Sequence, residues 1–162
     1  MSIKIYTTGG TIDKIHTGKQ STYEVGAPQI VEILQNSNVI LDYEIESIIK
    51  KDSLDFTNED RELIYMKVKS DISNNILITH GTDTMIKTAK ILKNITKKTI
   101  VFTGSMYPAK YQRYEAVLNI GCAITASQIL DPGVYIAMNG RIFDPHNSRK
   151  NVNLNRFEEI NK

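Results

Sequence analysis

Thr82 and Asp83 lie between the apolar run Ile76-Leu77-Ile78 and a stretch in which Met85, Ala89 and Leu92 share one helical face. A hydroxyl and a carboxylate therefore stand where a strand gives way to a helix over Ile86 to Asn94. Open α/β sheets place ligands at that point, outside the carboxyl ends of their strands. The pair could hold the charged groups of a small amino acid there, or it could simply cap the helix, a common use of both residue types. Two further strand ends carry small or hydroxyl-bearing residues. Lys4 to Thr8 reads as a first strand ending on Gly9-Gly10-Thr11-Ile12, and Thr99 to Thr103 as a later one ending on Gly104-Ser105. Paired glycines permit positive φ and close approach of another group to the backbone. Neither the spacing of a dinucleotide fingerprint nor the lysine of a P-loop is present.

The elements that must bring these ends together follow in order. Asp13 to Glu24 is polar, with Gly18 near its middle and Tyr23 near its end, and is expected to be a mobile hairpin or lid over a ligand. Ala27-Pro28 opens a helix facing inward through Ile30, Ile33 and Leu34. Leu41 to Ile49 alternates as a half-buried strand and runs into Asp52-Ser53. Thr57 to Asp60 has the form of a capping box, ahead of a helix carrying Ile64 and Val68. Arg113 to Gln128 forms a helix with Gly121 as an expected close-packing point, and Asp131-Pro132-Gly133 turns into a strand over Val134 to Met138. Arg141 to Phe143 is a further short strand, and Asp144 to Asn155 is expected to be irregular. Strands alternating with helices imply parallel pairing and a three-layer α/β domain with a mostly parallel sheet.

Composition narrows the function classes. The 162 residues fit one ordinary domain, here taken as residues 1–162, and 41% hydrophobic with 23% charged residues fits a soluble globular chain. A net charge of +2 without a basic stripe argues against nucleic acid and membrane partners. The lone Cys122 is expected to be a buried, inert thiol. His16, His80 and His146 fall on separate expected loops without ligand spacing, so neither a metal nor a cofactor is expected. The start of the chain has no charged segment followed by a long apolar one, which suggests a cytosolic location.

The segments Thr8-Gly9-Gly10-Thr11-Ile12, His80-Gly81-Thr82-Asp83-Thr84-Met85 and Thr103-Gly104-Ser105-Met106 resemble, in the same order, the signatures of the L-asparaginase/glutaminase family. The likeness runs on through Met138-Asn139 to Lys150. It implies the Rossmann-like N-terminal domain of that family and hydrolysis of L-asparagine, with glutamine as a weaker substrate. By this resemblance Thr11 matches the nucleophile and Tyr23 the lid tyrosine that hydrogen-bonds it. Thr82, Asp83 and Lys150 match the family's Thr-Asp-Lys set. Asp52-Ser53 resembles the pair that holds the substrate's amino and carboxylate groups. Gly10, Gly81 and Ser105 complete the substrate site, with an oxyanion held by N–H groups near Thr82 and Ser105. Family members continue into a smaller second domain, which supplies dimer contacts and an acid beside the lid tyrosine. Here that acid would have to come from Glu24, Asp13 or another chain, a homo-oligomer being one source. An amino-acid-binding or regulatory domain, and the amidase-like subunit of an amidotransferase, are the rival readings.

Overall fold

The computed structural model describes residues 2–18 and 22–161; the tip of the expected lid, residues 19–21, lies outside them. Among the described residues, six strands form the main sheet: β1 (Ser2–Gly9), β4 (Asp42–Lys51), β5 (Asn75–Thr79), β6 (Thr99–Thr103), β7 (Gly133–Met138) and β8 (Arg141–Phe143). Their order is β4-β1-β5-β6-β7-β8. All neighbours pair in parallel except β8, which returns antiparallel to β7. That return is a tight turn in which Asn139 and Gly140 both take positive φ, 54° and 75°, as a short hairpin connection requires.

Alternation along the strands builds two cores. Ile76, Ile78, Ile100, Phe102, Ile136 and Met138 face one side, where α2 (Asn58–Ser70) and α3 (Met85–Ile91) cover them. Leu77, Val101 and Ala137 face the other, against α1 (Gln29–Asn36) and α4 (Arg113–Ile129). This is the expected three-layer architecture. Residues 30, 33 and 34 are buried on α1, as are Ile64 and Val68 on α2. The capping box at Thr57 and Asp60 is formed in both directions. The helix expected from Ile86 to Asn94 is α-helical only to Ile91, and Leu92–Asn94 tightens into a 3-10 turn. None of the described helices is long and apolar enough to cross a membrane.

Three expectations are corrected. Residues 144–155 are not irregular: a 3-10 turn at Pro145–Asn147 leads into an antiparallel hairpin of β9 (Ser148–Asn151) and β10 (Arg156–Glu159). Phe157 anchors that hairpin by packing near Phe143, a pairing across many residues that local polarity conceals. Gly121 is not a close-packing point, because a Cβ built there would meet nothing within 4 Å. It lies on the outer face of α4, where Val117, Leu118, Cys122, Ile129 and Ile142 line an open apolar groove of ≈ 540 Å³. Cys122 is accordingly half-exposed rather than buried. The helix is apolar on both faces, so its periodicity could not tell inside from outside.

Candidate active site

The ends of β1, β4 and β5 meet backbone to backbone. Gly10 has φ 88°, and a Cβ added there would lie 2.4 Å from both Cα and N of Gly81. A Cβ on Gly81 would in turn lie 2.6 Å from the Ser53 Oγ. Only residues without side chains permit this contact, which sets the Thr11 turn against the Thr82 loop and both beside Ser53. The Gly10 N–H donates to the carbonyl of Lys51 at 3.0 Å and so ties the first turn to the end of β4. Thr11 opens a 3-10 turn, Thr11–Asp13, and is half-buried.

His80 supports the Thr82 loop from beneath. Its ring is fully buried between Phe56 and Phe102, with one nitrogen 2.7 Å from the Gly81 carbonyl and the other 2.9 Å from the Thr88 hydroxyl. Burial pushes its pKa down to about 4, so the ring is neutral and its Nδ1–H donates to Gly81. It lies just beyond β5, outside any helix or strand as expected, and is fully buried. His16 differs from the expectation of a loop, since it sits on strand β2 (Lys14–Thr17).

Lys150, on β9, reaches across 67 residues of sequence. Its Nζ donates to Asp83 Oδ1 at 2.7 Å and to Thr82 Oγ1 at 2.8 Å. Neither Thr82 nor Asp83 caps α3; the residue at that position is Thr84, which makes no side-chain cap. Thr84 instead donates through its hydroxyl to the Ser53 carbonyl and through its N–H to the Ser53 Oγ. Ser105 is buried and its hydroxyl donates to the carbonyl of Tyr107.

The expected lid is a hairpin of β2 (Lys14–Thr17) and β3 (Thr22–Val25), with Gly18 at φ 60°. Tyr23 does not hydrogen-bond Thr11. It is 51% exposed and stacks on the His16 ring at 4.2 Å between centroids. Beneath the hairpin is a cleft of ≈ 560 Å³, lined among others by Tyr23, Glu24, Lys14 and Asp52. Lys14 forms an ion pair with Asp52, Nζ to Oδ2 at 2.5 Å. Burial pushes the Asp52 carboxyl up, but the Lys14 ammonium, the Leu54 N–H and the charge of Lys150 together hold it below its ordinary value.

Asp13 is not available to Tyr23. It is buried, with Oδ1 accepting the Gln29 N–H at the start of α1 and Oδ2 without a hydrogen-bond partner among the described residues. Burial, only partly offset by Gln29, pushes its pKa up to about 7. Sequence reasoning missed Lys14, Tyr111 and this role of Asp13. A lysine two residues before a histidine in a polar hairpin gives no local sign of its partner. A buried aspartate could have been suspected from its place between Ile12 and the proline-led helix.

A mostly parallel sheet with a Thr-Asp-Lys cluster on its central strand end, pressed against a glycine-led threonine turn, is the arrangement of an amidase-type α/β domain. Residues 2–162 match the family profile described as asparaginase, N-terminal, and the chain belongs to that family. A glutaminase-asparaginase of Acinetobacter glutaminasificans is 29% identical over 94% of this chain and 50% of its own length. The solved structure of the thermostable L-asparaginase from Thermococcus kodakarensis superposes with a TM-score of 0.85 at 29% identity, covering all of this chain and 52% of that one. A component of the glutamyl-tRNA(Gln) amidotransferase from Archaeoglobus fulgidus is 31% identical over 89% of this chain and 36% of its own length. The chain thus spans about half the length of the asparaginase relatives it matches.

Proposed function

We propose that this chain carries the catalytic half of an amidohydrolase that converts L-asparagine to L-aspartate and ammonia, with glutamine a poorer substrate. The observation that carries the proposal is the reach of Lys150 to both Thr82 and Asp83, beside a threonine turn that touches Gly81. In this reading the Thr11 hydroxyl attacks the side-chain amide carbon while its proton passes toward the Tyr23 phenol. Backbone N–H groups near Thr82 and Ser105 hold the oxyanion, the sort of contribution worth about 3 kcal/mol per donor. The C–N bond then breaks, the nitrogen leaves as ammonia after taking the proton relayed through the Tyr23 phenol, and an ester to Thr11 remains. Water attacks that ester, held by the Thr82 hydroxyl that Lys150 and Asp83 orient, and its proton passes to the Thr11 oxygen as the ester bond breaks. Aspartate departs and Thr11 regains its proton. Asp52 and Ser53, at the end of β4, hold the amino and carboxylate ends of the substrate.

The test is ammonia release from L-asparagine by the purified chain, followed in a coupled assay, with Thr11→Ala as control. Stabilisation of the fold by aspartate without any ammonia would favour an amino-acid-binding or regulatory domain. The match to a component of an amidotransferase supports a second reading, in which ammonia is passed to a partner. Turnover that appears only when a tRNA-charging partner is added would favour it.

A further inference from the structure

Tyr111 lies in the loop between β6 and α4, outside every segment that resembles the family signatures, yet it contacts the hairpin directly. Its Oη accepts the backbone N–H of His16 at 2.7 Å. Its ring stands edge-on to His16, centroids 5.1 Å apart at 63°, and to Tyr23, 6.3 Å apart at 73°. His16 stacks on Tyr23, so the three rings contact one another in turn.

The loop behind Tyr111 is braced. The N–H groups of Tyr111 and Gln112 both donate to the Pro108 carbonyl, and those of Met106 and Tyr107 donate to the Glu115 carboxylate on α4. The Ala109 N–H donates to the Ile12 carbonyl at 3.1 Å, one residue beyond Thr11. One rigid segment therefore grips the threonine turn at one end and the hairpin at the other. A two-stranded hairpin is marginal by itself, so outside contacts decide where it rests. At its root that contact is the Lys14–Asp52 ion pair; toward its tip it is Tyr111.

We propose that Tyr111 is a positioning residue that holds Tyr23 over the cleft, acting through its contacts with His16 and Tyr23 rather than by touching substrate. The consequence for turnover rests on the reading of Tyr23 as the proton relay to Thr11; the consequence for the hairpin does not. Tyr111→Ala leaves the substrate groups at the strand ends in place, so KM stays within about threefold while kcat falls about tenfold. Tyr111→Phe keeps the ring contacts and recovers most of that loss.

Two measurements decide it. Deuterium exchange at the His16 and Tyr23 amides should quicken about tenfold in Tyr111→Ala, with the amides of β5 unchanged. The doubly substituted Tyr23→Phe, Tyr111→Ala chain should turn over within twofold of Tyr23→Phe alone, since a residue that works only through Tyr23 has nothing left to lose. Unchanged exchange in the hairpin overturns the proposal, as does a second full loss in the double variant. If the parent chain releases no ammonia, the proposed function fails, and the exchange experiment alone still accepts or rejects Tyr111 as the brace.

Discussion

Gly10 and Gly81 meet through main-chain atoms at strand ends, with the Ser53 side chain close against Gly81, whereas the β2–β3 hairpin above them is held by the side chains of Lys14, His16, Tyr23 and Tyr111. The floor is buried and tolerates no added atom. The hairpin is half-exposed, and its contacts are individually small. A reaction that needs fixed groups around a carbonyl carbon and a cover that opens for substrate calls for this division. Fixity comes from close-packed backbone, which has few alternative arrangements, and opening comes from side-chain contacts that can be exchanged for water.

The sharpest way to separate the two regions is by turnover. Thr11→Ala should lower ammonia release about a thousandfold or more while the fold survives, because a half-buried hydroxyl at a loop start adds little to the core. A variant turning over within twofold of the parent would remove Thr11 as nucleophile. Lys150→Met should cost about a hundredfold in turnover. It should cost only about 1 kcal/mol in stability, since Asp83 is 37% exposed and water replaces part of the lost pairing. An unfolded Lys150→Met chain would show that the pair is structural first.

Stability separates them next. Gly10→Ala puts a Cβ against Gly81 and forces a side chain into a positive-φ position, with an expected cost of roughly 3 kcal/mol in urea unfolding. Lys14→Met, at the root of the hairpin, should cost less than about 1 kcal/mol. Equal losses from the two would erase the distinction between floor and hairpin.

The floor also holds two buried groups that titrate against each other. Asp13 has its pKa raised to about 7 from an ordinary 3.8, so its contribution is complete below the ordinary value and is lost as pH rises through 7. His80 has its pKa lowered to about 4 from an ordinary 6.5, so its contribution is complete above 6.5 and is lost as pH falls to 4. Between those limits the slopes cancel. Asp13→Asn leaves His80 alone, and the variant should gain about 1 kcal/mol of stability per pH unit as pH rises from about 4.5 to about 6.5. A variant with the parent's pH profile would show that Asp13 does not titrate in this range.

What the sequence made legible, and what it hid, follows the same line. Apolar runs over 76–78 and 99–103 placed the central strands, and the paired glycines at 9 and 10 marked a strand end open to close approach. Those are local signals with a physical cause. The contact between Lys150 and Asp83 came from family resemblance alone, since nothing near residue 150 points to residue 83. Asp13, Lys14 and Tyr111 stayed hidden because their roles depend on which distant group each one meets. Tyr111 gains its partner only after the loop beyond β6 folds back over β2. The outer face of α4 misled for the opposite reason: it is apolar where solvent lies, so hydrophobic spacing made Gly121 look interior.

The position of Lys150 bears on the order in which the molecule assembles. Thr11, Ser53 and Thr82 all come together when β1, β4 and β5 pair. The lysine arrives from the β9–β10 hairpin, after β6, β7 and β8 have been added to the sheet's other edge. Contacts that close long loops form late and slow folding. In a chain emerging from the ribosome the strands of the sheet interior would thus be available to pair well before the segment that completes the Thr-Asp-Lys cluster.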